Sequence, residues 1–215
     1  MSTRRHFIVC EGKSEWAYLR RLQGFLDDQA TEVGEFQPPL MFIAPESAIA
    51  KNGECKLLVR RYKEKRKENK NGSIQIWADF DLYHRNDLNC ADNYSKRARG
   101  IPDFLFSYHN FEDFFALHHD GTVLQTWLDY GQSTRRHFEN PLHSKDYEPE
   151  IKRIFPEYEK GDIPVDFVNW TTLKNLKKNL NHQPSHFNPH QLTGLRSFAE
   201  FLIQEIQRAY PGKLD

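Results

Sequence analysis

The chain has 215 residues, with 30 Lys+Arg balanced by 30 Asp+Glu, and a hydrophobic fraction of 38% that includes 16 Phe. That length fits one domain, or a domain with an appended lobe, around a core rich in aromatic side chains. Zero formal net charge gives no global pull toward nucleic acid or an anionic membrane, so any polyanion site must come from local asymmetry.

The 3 cysteines are far apart and form no closely spaced pair, which argues against a disulfide framework or a cysteine-based zinc site. No stretch approaches the roughly eighteen apolar residues of a membrane-spanning helix. Met1 to His6 leads into a strand too quickly for a signal peptide, and a cytoplasmic location is expected.

In chain order, Phe7 to Cys10 reads as a buried strand closed by Glu11-Gly12. Trp16, Leu19, Leu22, Phe25 and Leu26 recur at helical spacing and predict a helix over about Glu15–Asp28. Leu40 to Ile43 is the next strand. Ser47 is the expected N-cap of a helix running to about Lys70. Ile74 to Phe80 forms a strand ending in Asp79-Phe80-Asp81, and Asn86 to Arg99 an exposed helix. Phe104 to Tyr108 is a fourth strand, followed by a helix from Phe111 to His118. This alternation predicts an α/β fold: a mostly parallel sheet with helices on both faces.

The second half is expected to be a mainly helical extension. Thr122 to Asp129 and Thr171 to Leu180 read as helices, Gln132 to Pro149 as a loop, and Val165 to Val168 as a last strand. His182 to His190 reads as another loop. Leu192, Leu195, Phe198, Leu202 and Ile206 mark the clearest helical face in the chain. Residues 1–120 are therefore assigned to a core and 121–215 to an extension that packs on it or completes it.

Acids fall where the apolar strands end. Open α/β sheets place ligands at the carboxyl ends of their strands. Carboxylates gathered there from separate strands form a hard-oxygen site suited to Mg²⁺ or Mn²⁺. Glu11 closes the first strand and Asp79 and Asp81 close the third. Period-two geometry turns Asp79 and Asp81 to one side, where two like charges repel unless a cation joins them. Glu112 follows the fourth strand. Glu15 and Asp113 are read as first-turn capping acids. Lys13 and His84 are candidates to steady a phosphate. No metal-ligand spacing supports zinc at His109, His118 and His119.

The stretch Val9-Cys10-Glu11-Gly12-Lys13-Ser14-Glu15, the strand ending Trp77-Ala78-Asp79-Phe80-Asp81, and Ser107 to His118 occur in order. Together they resemble the TOPRIM domain of topoisomerases and primases, and within it the RloB-like proteins found near prokaryotic restriction and defence loci. Asn110 stands where that branch carries a proline, and Phe114-Phe115 where it carries Trp-Leu. The resemblance covers about the first 120 residues. It implies a TOPRIM-like sheet and a Mg²⁺- or Mn²⁺-dependent nuclease acting in defence against foreign genetic elements. Glu11, Asp79 and Asp81 would hold metal, and Glu112 would bind a second metal or orient water.

Arg60, Arg61, Lys63, Lys65 and Arg66 lie on a basic helix that can track a nucleic-acid backbone, DNA or RNA. Lys174, Lys177 and Lys178 form a weaker patch, and Trp170 is a candidate for stacking on bases. Two further readings stay open: an enzyme or binding module for a nucleotide or cyclic-oligonucleotide signal, and a non-catalytic subunit of a defence complex. Assembly with a defence-complex protein or with copies of the same chain is open, and no membrane association is expected.

Overall fold

The computed structural model describes residues 3–49, 55–69, 72–79, 101, 103–107, 110–134, 144–182 and 196–215. Five parallel strands form one sheet in the order β2-β1-β3-β4-β5: β1 Arg4–Cys10, β2 Leu40–Ile43, β3 Ser73–Asp79, β4 Phe104–Ser107 and β5 Arg196–Ser197. The fold is α/β, with helices on both faces of an all-parallel sheet.

Strand alternation divides the core into two layers. Ile8 and Cys10 of β1, Trp77 of β3 and Leu105 of β4 face one layer. There they meet α1 (Lys13–Glu32), α3 (Phe111–Ala116), α6 (Trp170–Asn179) and α7 (Phe198–Ala209). Val9, Ile74, Ile76, Phe104 and Phe106 face the other layer, which is covered by Leu58, Val59 and Tyr62 of α2 (Cys55–Glu68). Sheets covered on both faces read as continuous apolar runs. Trp77 anchors the larger layer: its ring stacks on Phe198 at 3.6 Å between centroids and 8° between planes, and its Nε1–H donates to Ser107 Oγ at 2.8 Å.

Several elements differ from the sequence expectation. The predicted helix from Ser47 does not run unbroken: Glu46–Ala48 make one 3₁₀ turn, Ile49 is extended at φ −72° and ψ 125°, and α2 begins at Cys55. Part of the predicted loop Gln132–Pro149 is helical. The helix α4 (Gly121–Ser133) extends past Gln132, and Ser144–Ile154 form α5 with Pro149 inside it. Burial of Tyr147, Ile151 and Phe155 at helical spacing outweighs the backbone hydrogen bond that a proline removes. The predicted strand Val165–Val168 is a turn. Phe167 N–H donates to Pro164 O at 3.1 Å, and Asn169 already caps α6 by accepting from Thr172 N–H at 3.0 Å. The last strand is instead Arg196–Ser197, whose Ser197 caps α7 by accepting from Glu200 N–H at 3.4 Å. The predicted Asn86–Arg99 helix lies outside the described residues, as do residues 183–190 of the predicted loop that begins at His182.

At the amino ends of the strands, β1 is tied to α7 by a buried polar knot. Glu205 Oε2 accepts from Arg4 Nε–H at 2.9 Å and lies 3.0 Å from His6 Nε2, while Oε1 accepts from Arg208 at 2.5 Å. Burial works to raise the Glu205 pKa, but His6 and Arg4 hold it below the usual carboxylate value.

Candidate functional site at the carboxyl ends of the strands

In the order β2-β1-β3, the chain leaves β1 toward one side and β3 toward the other. A crevice forms where such connections diverge, and it is the usual ligand position in open α/β sheets. Glu11 and Asp79 occupy that point. Glu11 N–H continues the ladder by donating to Trp77 O at 3.0 Å, and Asp79 N–H donates to Glu11 Oε2 at 2.7 Å. The Glu11 carboxylate therefore meets the backbone of Asp79, 68 positions away, at the top of adjacent strands.

The start of α1 explains the residues after Glu11. Gly12 is an extended N-cap at φ −137°, so its value is not positive-φ freedom. A Cβ there would lie 3.0 Å from Glu15 Oε2, and the buried Glu15 carboxylate accepts from Gly12 N–H at 3.1 Å. Glu15 is the capping acid read from the sequence. It also adds to the effect of burial in pushing the Cys10 thiol up. Lys13 is exposed at the first helical position, beside the crevice.

Above β4, Asn110 caps α3 with a reciprocal pair of bonds to Asp113: its Oδ1 accepts from Asp113 N–H at 3.3 Å, and its own N–H donates to Asp113 Oδ2 at 3.4 Å. Asp113 Oδ1 also accepts from Trp127 Nε1–H at 2.9 Å. Asp113 is thus a structural cap, as expected. Glu112 is buried and does something else: its Oε1 accepts from the phenol of Tyr158 at 2.7 Å. Burial first, and then the Glu112 carboxylate, push the Tyr158 pKa far up.

Tyr158 starts a turn that α1 holds in place. Arg21 Nε–H donates to Ile163 O at 2.7 Å and its guanidinium lies 3.6 Å from Asp162. Gly161, at φ +83°, adopts the left-handed backbone that this turn needs. Sequence reading missed Tyr158. The spacing Tyr147, Ile151, Phe155 leading into it was the available signal, masked by Pro149.

Asp81 and His84 lie outside the described residues, as do His109, Tyr83 and Arg85. Among the described residues no three His, Cys, Asp or Glu side chains gather as a metal site. The donor pair Glu11 and Asp79 has the hard-oxygen chemistry of a Mg²⁺ site, and its third sequence-predicted member is Asp81.

The C-terminal part of the basic helix sits elsewhere. Tyr62 of α2 hydrogen-bonds Asp103 just before β4, and Arg66 donates to Gly72 O just before β3 at 2.9 Å. Seven residues of β3 separate that end from Asp79, roughly 20 Å of strand. Arg60 pairs with Glu64 at 3.8 Å and Lys65 with Glu68 at 2.6 Å, while Lys63 is exposed and Arg61 half-buried. Lys174 and Lys177 bind the carbonyls of Asp215 and Leu214 at 2.7 and 3.0 Å, and Trp170 donates to Gln29 at 2.6 Å. The two lysines therefore hold the C-terminus on α6, and Trp170 ties α6 to α1.

A protein-family model described as RloB-like protein matches residues 6–201. The chain belongs to the RloB-like family. The match carries the likeness through most of the C-terminal half, well past residue 120. Neither a curated protein nor a solved structure matches the chain. Among the described residues, no helix is long and apolar enough to cross a membrane.

Proposed function

We propose that this RloB-like protein hydrolyses phosphodiester bonds of nucleic acid with the help of Mg²⁺ or Mn²⁺. The observation that carries the reading is the 2.7 Å bond from Asp79 N–H to Glu11 Oε2, which joins acids from two strands at the sheet's switch point. Glu11 and Asp79 would hold the cation, together with Asp81. A divalent cation bound there supplies charge compensation for a phosphate undergoing substitution. Lys13, at the N-terminus of α1, adds a positive charge and a helix dipole for phosphate oxygens. Glu112 would bind a second cation or orient water, and His84 would steady the phosphate. The resemblance to TOPRIM nucleases, and a role in defence against foreign genetic elements, accord with this chemistry.

The test is Mn²⁺-dependent cleavage of labelled single- and double-stranded DNA and RNA by the wild type, Glu11→Gln and Asp79→Asn. We expect each variant to lose at least about 100-fold in kcat/KM, about 2.7 kcal/mol of transition-state stabilisation. Metal-dependent cleavage that survives both substitutions removes the proposal.

The position of the α2 cations favours a second reading. Arg66 and its neighbours lie at the end of the sheet away from Glu11, so the last turns of that helix do not flank the acids. A smaller phosphate ester, such as a nucleotide or cyclic oligonucleotide, needs no continuous basic face. Activity confined to short nucleotides selects that reading. Binding without turnover selects a non-catalytic role in a defence complex.

A further inference from the structure

The Glu112–Tyr158 pair is more than a helix cap requires. The first turn of α3 is already satisfied by Asn110 and Asp113, and Asp113 in turn by Trp127. Glu112 is nevertheless buried at 4% exposure beside Tyr158 at 3%. Removing a carboxylate from water is costly without a strong hydrogen bond, and an apolar residue would pack there at lower cost. Polar groups kept against that preference cluster at functional sites.

Tyr158 is itself held from several directions. Its N–H donates to Phe155 O at 2.9 Å, and its ring meets Phe115 edge-on at 5.1 Å between centroids. Arg21 of α1 pins the turn that follows. The hydroxyl therefore has a fixed position against Glu112, which follows β4, and β4 ends with Ser107 paired to Asp79 of β3.

We infer that Tyr158 is a positioning residue of the carboxyl-edge site: its phenol holds the Glu112 carboxylate in register with Asp79. The C-terminal half of the chain thereby completes a site whose acids all come from the first half. A glutamate has three side-chain torsions, and only a partner of fixed position can confine it to one orientation. This inference deepens the hydrolytic reading and rests on it for its activity readout.

The experiment compares wild type, Tyr158→Phe, Glu112→Gln and the double variant, each first checked for native circular dichroism. Tyr158→Phe keeps the ring against Phe115 and deletes only the donor. Two quantities are measured: Mn²⁺ affinity by paramagnetic-resonance titration, and kcat and KM on the substrate that the wild type cleaves. The expected result is a drop of tenfold or more in kcat with KM within twofold, and a threefold or greater loss of Mn²⁺ affinity. The double variant should be no worse than either single one, because both remove the same interaction.

Wild-type turnover and wild-type Mn²⁺ affinity in folded Tyr158→Phe overturn the inference and leave the hydrolytic reading standing, as do additive effects in the double variant. Mn²⁺ binding that weakens in Tyr158→Phe, with no cleavage by the wild type, overturns the hydrolytic reading and supports the positioning role. Absence of Mn²⁺ binding by the wild type overturns both.

Discussion

His118 has no solvent exposure, and both of its ring nitrogens are engaged. Nδ1–H donates to Phe114 O at 3.0 Å, and Nε2 accepts from the Tyr18 hydroxyl at 2.8 Å. The imidazole is thus held neutral in the core. Burial pushes its pKa down from 6.5 to about 3. The unfolded chain takes up this proton near its ordinary value, so between those limits the unfolded state binds more protons than the folded one. Stability therefore rises with pH across that window, by up to about 1.4 kcal/mol per unit from this group, and its contribution is complete above the ordinary value. Urea unfolding from pH 4 to 7 should show a slope that is reduced in His118→Gln. His119 next to it packs against Phe155 and lies 3.4 Å from Glu157. Adjacent histidines offered a metal reading that their spacing did not support, and packing explains both. Glu11, Asp79 and Glu15 were legible because each follows or opens a recognisable element. Tyr158 was not, because its partner lies 46 residues away and Pro149 masks the helical spacing that leads into it.

At the level of elements, α6 caps α3. Asn179 is buried and donates through Nδ2 to Leu117 O at 3.0 Å and His119 O at 2.9 Å, while Asn175 donates to His118 O at 3.1 Å. The last carbonyls of a short helix have no partner inside it, so the neighbouring helix supplies them. Asn179→Ala should cost about 2 kcal/mol, since it leaves buried acceptors unsatisfied. For a chain of this size that is a melting-point drop of about 4–8 °C by differential scanning calorimetry. Strands β1 to β4 were readable as apolar runs closed by acids, glycine or proline. The two-residue β5 is too short to leave any periodicity, and it pairs with β4 directly before α7 begins. Val165 to Val168 had strand-like residue types, but Pro164 and the Asn169 cap confine them to a turn.

At the level of the whole molecule, one apolar layer runs from Ile8 to Leu214. Phe155, Phe167, Leu173, Phe198 and Leu202 of the second half fill it alongside Tyr18, Trp77 and Phe115 of the first. Residues 121–215 thus share one core with the first half. A fragment of residues 1–120 would expose the Trp77 face that Phe198 covers. It should bind a hydrophobic dye and lack near-ultraviolet circular dichroism while the full chain shows the reverse. Long-range aromatic contacts of this kind leave no mark in local spacing, which is why the depth of the interlock emerged only from the folded chain.

The Glu205 knot has a practical consequence. It fastens the opening strand to the closing helix on the side of the sheet farthest from Glu11 and Asp79. A dye or affinity handle joined at Gln207, exposed one position before Arg208, would sit on that rear side. Surface attachment there would then leave the acidic crevice facing outward.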